Sequence, residues 1–148
     1  MRLALCQLRS ALGDKERNLK RMAETVEGTT ADLFVFPETY VTGYMVRDRV
    51  VTLAEDVDGE SVSYLADLSD RTGKGIVFGM PLTDQCNEGL ITNSAVMVSP
   101  DGRVQRYDKL HPANFGPFEE GLYFNAGHSP TPFQFWGRGV GVCICYDL

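Results

Sequence analysis

Two short runs without a polar side chain, Leu33-Phe-Val-Phe36 and Gly75-Ile-Val-Phe-Gly79, most restrict what this chain can become. A strand with one wet face alternates apolar and polar residues. A strand that is apolar throughout is covered on both faces, as in parallel sheets flanked by helices. The neighbouring segments supply those helices. After Gly13-Asp14, residues Leu19, Met22, Ala23 and Val26 recur at helical spacing, with Gly28 as a stop. Between Ser61 and Arg71, residues Val62, Leu65 and Ala66 share one side, and Gly73 and Gly75 close the helix. With Leu3-Ala-Leu-Cys-Gln-Leu8 as a first strand, the order is β-α-β-α-β. The expected class is α/β with largely parallel pairing.

From residue 90 the pattern changes. Ile91 to Ser99 alternates loosely, Pro100-Asp101-Gly102 is a turn signal, and Arg103 to Tyr107 reads as a returning strand. That hairpin makes the sheet mixed. Residues 108–130 show no period, and a loop of this length inside a domain is usually functional or disordered. Its four aromatics argue against disorder. Thr131–Trp136 and Val140–Cys145 read as two further strands, with a turn at the glycines around Arg138. There is no repeat or linker, so residues 1–148 are expected to form a single domain.

Composition narrows the function. The net charge of -6 with no basic run argues against nucleic acid or an anionic membrane as partner. There is no signal-peptide pattern and no apolar stretch of membrane-spanning length. Cys6, Cys86, Cys143 and Cys145 lack the spacing of a secreted disulfide framework. The cytoplasm is the expected compartment.

Three residues stand at expected strand ends. Glu38 follows the buried run through Pro37, Lys109 begins the long loop, and Cys145 ends the last strand before polar Tyr146 and Asp147. Singly each has a plain explanation, the cysteine as a small core residue and the other two as surface charges. Together they make chemical sense, because open α/β sheets place ligands at strand ends. A thiol at neutral pH is only a few per cent thiolate and needs a base. Glu38 can take the proton, while Lys109 offsets the like-charge conflict between carboxylate and thiolate and can stabilise an oxyanion.

Phe36-Pro37-Glu38 with Gly43-Tyr44, then Tyr107-Asp-Lys109-Leu-His111, then Ile144-Cys145-Tyr146-Asp147 resemble the three motifs of the nitrilase superfamily of carbon–nitrogen hydrolases. The first strand through Gln7, the Asn18-Leu19 helix and Asn93-Ser-Ala95 resemble it too, so the likeness runs from end to end. It implies an α-β-β-α sandwich that hydrolyses non-peptide C–N bonds through a thioester, without a cofactor or metal. By that resemblance Glu38 is the general base, Lys109 the oxyanion stabiliser and Cys145 the nucleophile, with the Tyr146 backbone N–H assisting. Phe118-Glu119-Glu120 followed by Tyr123-Phe124 resembles the family's second-glutamate motif, which places Glu120 in that role and leaves Glu119 as fallback. Tyr40, Tyr44 and Asn114 are candidates to line the pocket.

Tyr146-Asp147 after the nucleophile, in place of the Trp-Glu typical of nitrile hydrolases, favours an amidase or carbamoylase acting on a small-molecule amide. The loop from Lys109 to Glu120 also resembles the glutaminase domains of NAD synthetases, though those carry an acidic residue where Tyr146 stands. A homo-oligomer is expected of a full-length protein. Another class is a metal site built from Cys143, Cys145, Cys86, His111 or His128, for which one close pair is a weak signal. A third class is an inactive relative. The chain stops three residues after Cys145, and about seven strands have two clear helices to cover them. It is therefore expected to be the N-terminal part of a hydrolase domain, either one portion of a longer protein or a truncated, inactive and aggregation-prone product.

Overall fold

The computed structural model describes residues 1–84, 87 and 89–148. A five-stranded mixed sheet runs in the order β1 (Leu3–Leu5), β2 (Leu33–Val35), β3 (Gly75–Thr83), β4 (Ile91–Val98), β5 (Val104–Asp108). The first three strands are parallel, and the β3–β4 and β4–β5 pairs are antiparallel. Helix α1 (Lys15–Gly28) connects β1 to β2, and α3 (Glu60–Thr72) connects the short α2 (Val50–Leu53) to β3. The Asp14 side chain caps α1 by accepting from the Arg17 N–H at 3.0 Å. α3 ends on Gly73 with φ +68°, the left-handed conformation that a glycine adopts at no steric cost.

Both apolar runs lie in the sheet, and each sends alternate residues to opposite faces. Phe34, Ile76, Phe78, Val96 and Val98 pack with Met22, Val26, Val62, Leu65 and Leu68 of the helices. Leu33, Val77, Ala95, Met97 and Tyr107 face the other way, against Phe133, Phe135 and Ile144. Every residue of β4 and all but the last of β3 are buried, so both faces of these central strands are covered. Each fully buried aliphatic or aromatic side chain here stabilises the fold by about 1.5–3 kcal/mol.

The chain's last segment departs from expectation. Phe133–Phe135 (β6) and Arg138–Val140 (β7) form a separate two-stranded sheet, and the turn between them is Trp136-Gly137, not the Arg138 region. Both turn residues have positive φ, +49° and +71°, the signature of a tight hairpin. The strand expected to run to Cys145 stops at Val140. Val140, Val142 and Ile144 do share a buried face against the sheet, so the alternation is real, but residues 141–144 have no strand partner. Cys145 instead opens a 3₁₀ turn, Cys145–Asp147. The first strand is also shorter than expected, and β3 runs to Thr83 because β4 pairs with it from Ile76 to Thr83.

Candidate active site

The site stands at the end of the sheet where β2 and β5 stop. Phe36 extends the β2 pairing by donating its N–H to Val77 O (2.8 Å), and the chain then turns through Pro37-Glu38-Thr39. Val41 N–H returns to Gly79 O at 3.2 Å, and buried Asn18 of α1 donates its side-chain amide to Val41 O at 2.9 Å. Gly79 makes room for this turn. A β-carbon there would stand 2.3 Å from Thr39 N and 2.9 Å from Glu38 Cα. Thr39 has φ +48°, a strained value for a threonine.

Lys109 follows β5. Its N–H donates to Asn93 O of β4 (2.9 Å), and its carbonyl accepts from Gly127 N–H (2.8 Å). Its ammonium is fully buried between two carboxylates, 2.8 Å from Glu38 Oε1 and 2.8 and 3.0 Å from Glu120 Oε2 and Oε1. Burial opposes the charged form of Lys109, but the bonds and charges of Glu120 and Glu38 outweigh it and raise its pKa above the ordinary lysine value.

The two carboxylates differ in environment. Glu120, 4 % exposed, accepts from Tyr44 OH at 2.6 Å on Oε1 and from Ala113 N–H at 2.7 Å on Oε2, besides Lys109. Glu38 receives Asn93 Nδ2 (2.7 Å) and Lys109 Nζ on the same oxygen, Oε1, and no donor among the described residues reaches Oε2. Burial, then the bond to Glu120 and its charge, raise the Tyr44 pKa far above the ordinary phenol range, so this hydroxyl stays a donor. Glu119, the fallback, is exposed on the loop surface.

Cys145, on the C-terminal turn, shares a cleft with Glu38. The cleft, of about 140 Å³, is lined by Glu38, Phe78, Gly79, Cys143, Ile144 and Cys145. Cys145, like Cys143, is exposed, and its φ of +48° places it in the left-handed region. Asp147 closes the turn, with its N–H on Ile144 O (3.1 Å) and its Oδ2 accepting from Ile144 N–H (3.0 Å). A line of aromatic contacts, Tyr44–Phe118–Phe115–Tyr146, with ring centroids 4.9–6.3 Å apart, runs from the Glu120 side to the cysteine turn.

The other sequence candidates fall in different places. Tyr40 is 1 % exposed in the apolar core, its ring 5.4 Å from Phe36. Asn114 braces the loop by accepting from Gly121 N–H at 2.7 Å. Among the described residues no three His, Cys, Asp or Glu side chains gather as a metal site, and Cys86 lies outside those residues. No helix among them is long and apolar enough to cross a membrane. Two contributors are not singled out for the site from sequence by their own chemistry: Asn93, between Thr92 and Ser94 in β4, and Asp147. The resemblance of Asn93-Ser-Ala95 to the family's pattern is the available signal for Asn93.

The mixed five-stranded sheet thus carries a buried carboxylate–ammonium cluster at its edge. Residues 2–148 match the model of the carbon-nitrogen hydrolase family, and the chain belongs to that family. It is 32 % identical to an (R)-stereoselective amidase from a Pseudomonas species, across 100 % of this chain and 52 % of that protein. It is 30 % identical to a glutamine-dependent NAD(+) synthetase of Acinetobacter baylyi, across 99 % of this chain and 27 % of the synthetase. The crystal structure of XC1258 from Xanthomonas campestris, a CN-hydrolase superfamily protein, superposes with TM-score 0.86 at 28 % identity, covering 99 % of this chain and 54 % of that one. The chain thus spans about half the length of that amidase and of XC1258.

Proposed function

We propose that the protein hydrolyses small linear amides or N-carbamoyl amines, with Cys145 as nucleophile, Glu38 as general base, Lys109 as oxyanion stabiliser and Glu120 as the anchor of Lys109. The observation that carries this reading is the buried Lys109 ammonium held between Glu38 and Glu120, with Glu38 also lining the cleft that Cys145 lines. An ammonium has three protons. With one on Glu38 and one shared by the Glu120 oxygens, one remains for a developing oxyanion. Glu38 Oε2, free of protein donors, takes the thiol proton as Cys145 Sγ attacks the amide carbon. Lys109 and the Tyr146 backbone N–H hold the tetrahedral oxygen. The proton on Glu38 passes to the departing nitrogen, which leaves as ammonia or amine, and a thioester remains on Cys145. Water then loses a proton to Glu38 and attacks the thioester carbon; the C–S bond breaks, the acid leaves and Glu38 returns the proton to the Cys145 sulfur. Both oxygens of Glu120 are occupied by Tyr44, Ala113 N–H and Lys109, so its part is to position the ammonium.

The test is ammonia release by the full-length protein from a panel of small amides, carbamoyl-amines and glutamine. Cys145→Ala is expected to abolish release, and Cys143→Ala to preserve it. Equal loss in both folded variants would refute the assignment. A second reading, an ammonia-supplying glutaminase unit, is favoured by the likeness to the NAD(+) synthetase. Turnover of glutamine at least ~100-fold above the other amides, about 2.7 kcal/mol of discrimination, would select it.

A further inference from the structure

We propose that Asp147 is a positioning residue for the reaction, holding the Cys145 turn in register with Lys109. The inference rests on the reading of those two as the reacting groups. The side chain of Asp147 is 2 % exposed, yet its carboxylate is surrounded by donors from two distant segments. Oδ1 accepts from Leu110 N–H at 3.0 Å and His111 N–H at 2.9 Å, the two residues directly after Lys109, with His111 Nδ1 at 3.3 Å. Oδ2 accepts from Tyr107 OH at 2.7 Å, two residues before Lys109, and from Ile144 N–H at 3.0 Å, the residue before Cys145. One carboxylate therefore brackets the lysine on both sides and is joined to the nucleophile turn by a bond to its entry.

Two features make this more than a fold contact. Cys145 occupies the left-handed region at φ +48°, which a side chain with a β-carbon holds only where its surroundings over-determine it. Within the turn the Asp147 side chain and N–H, both bonded to Ile144, supply that constraint. The second feature is charge. A bare carboxylate two residues from a thiol would oppose thiolate formation. Here burial works against the charged Asp147, but the Ile144 N–H, the Tyr107 hydroxyl and His111 outweigh it and lower its pKa. The anion is thus met by donors on both oxygens while it sets the geometry.

Asp147→Asn tests the idea. Its amide oxygen can still accept from Leu110 and His111, but its NH₂ faces the Ile144 N–H, donor to donor, so the cysteine side of the clamp opens. In folded full-length protein, kcat is expected to fall ~10–100-fold with KM within ~3-fold, the scale of a misplaced reacting group. Independently of any amide substrate, alkylation of Cys145 by iodoacetamide, followed by peptide mass mapping against pH, is expected to shift toward the profile of Cys143. If Asp147→Asn does not fold, Tyr107→Phe removes a single donor from Oδ2 and is expected to shift the Cys145 profile in the same direction, with kcat ~3–10-fold lower. A folded variant whose alkylation profile and kcat match the wild type overturns the proposal, as does a loss confined to KM. If the wild type releases no ammonia from any amide, the proposed function fails, while the alkylation measurement still decides the clamp.

Discussion

Lys109→Met removes the ammonium and keeps nearly the same volume, so its effect measures the charge cluster rather than packing. The lysine side chain is 0 % exposed, and its partners Glu120 and Glu38 are 3 % and 20 % exposed. Removing one member of a buried ion pair leaves an uncompensated charge and costs about 3–5 kcal/mol. Against a typical domain stability of about 5–15 kcal/mol this is a large fraction but need not unfold the chain. For 148 residues the unfolding entropy converts it to a fall of about 10–15 °C in Tm. The pH dependence is the sharper signature. In the wild type the Lys109 pKa is raised, so its stabilisation is fully present below the unfolded value and is lost only as pH rises through the folded one, above 10.5. Between pH 5 and 8 it contributes no slope. In the variant two carboxylates face each other without a cation, and their repulsion grows as pH rises. Thermal melts followed by circular dichroism at pH 5 and pH 8 are expected to show a larger Tm deficit, relative to wild type, at pH 8. A deficit under 3 °C that is equal at both pH values would refute the buried-cation reasoning; the threshold is well below the roughly 10 °C expected.

Glu120→Gln is expected to lower kcat at least ~10-fold in the ammonia assay, while Glu119→Gln, on the exposed neighbour, stays within ~3-fold of wild type. Glu38→Gln removes the proposed base and is expected to lower kcat at least ~100-fold with the fold intact by circular dichroism. Gly79→Ala forces a β-carbon against Thr39 N and the Glu38 backbone, so a destabilisation of about 1–3 kcal/mol in denaturant melts is expected, together with lower kcat. Because the folded pKa of Asp147 is depressed, its stabilisation is present above the unfolded value and is lost as pH falls through the folded one, below 3.8. Acid titration of stability is therefore expected to be shallower in Asp147→Asn than in wild type.

The parts of this molecule legible in the sequence are those in which local pattern and chemistry coincide. Leu33-Phe-Val-Phe36 is apolar because both faces of β2 are covered, and helical spacing in Leu19 to Val26 marks the face that α1 turns to the sheet. Glu38 and Lys109 stand out because each follows the end of an expected strand, and the structure sets them 2.8 Å apart. The last strand was misread for a physical reason. Alternation at Val140, Val142 and Ile144 reports which side is buried, and it says nothing about whether a hydrogen-bonding neighbour exists. Tyr40 and Tyr44 look alike in sequence, yet one enters the core and the other bonds Glu120, a difference made by the turn at Thr39 and by Gly43 with φ +79°. Asp147 is legible as a turn and motif residue, without its partners. Its donors at Leu110 and His111 are 37 and 36 positions away, and two of them are backbone N–H groups that any residue type provides. A contact made through backbone amides leaves no mark on the composition of the partner segment. It becomes visible only once the sheet has brought β5 and the cysteine turn together, so the geometry that tunes such a site is the part that a single sequence conceals most.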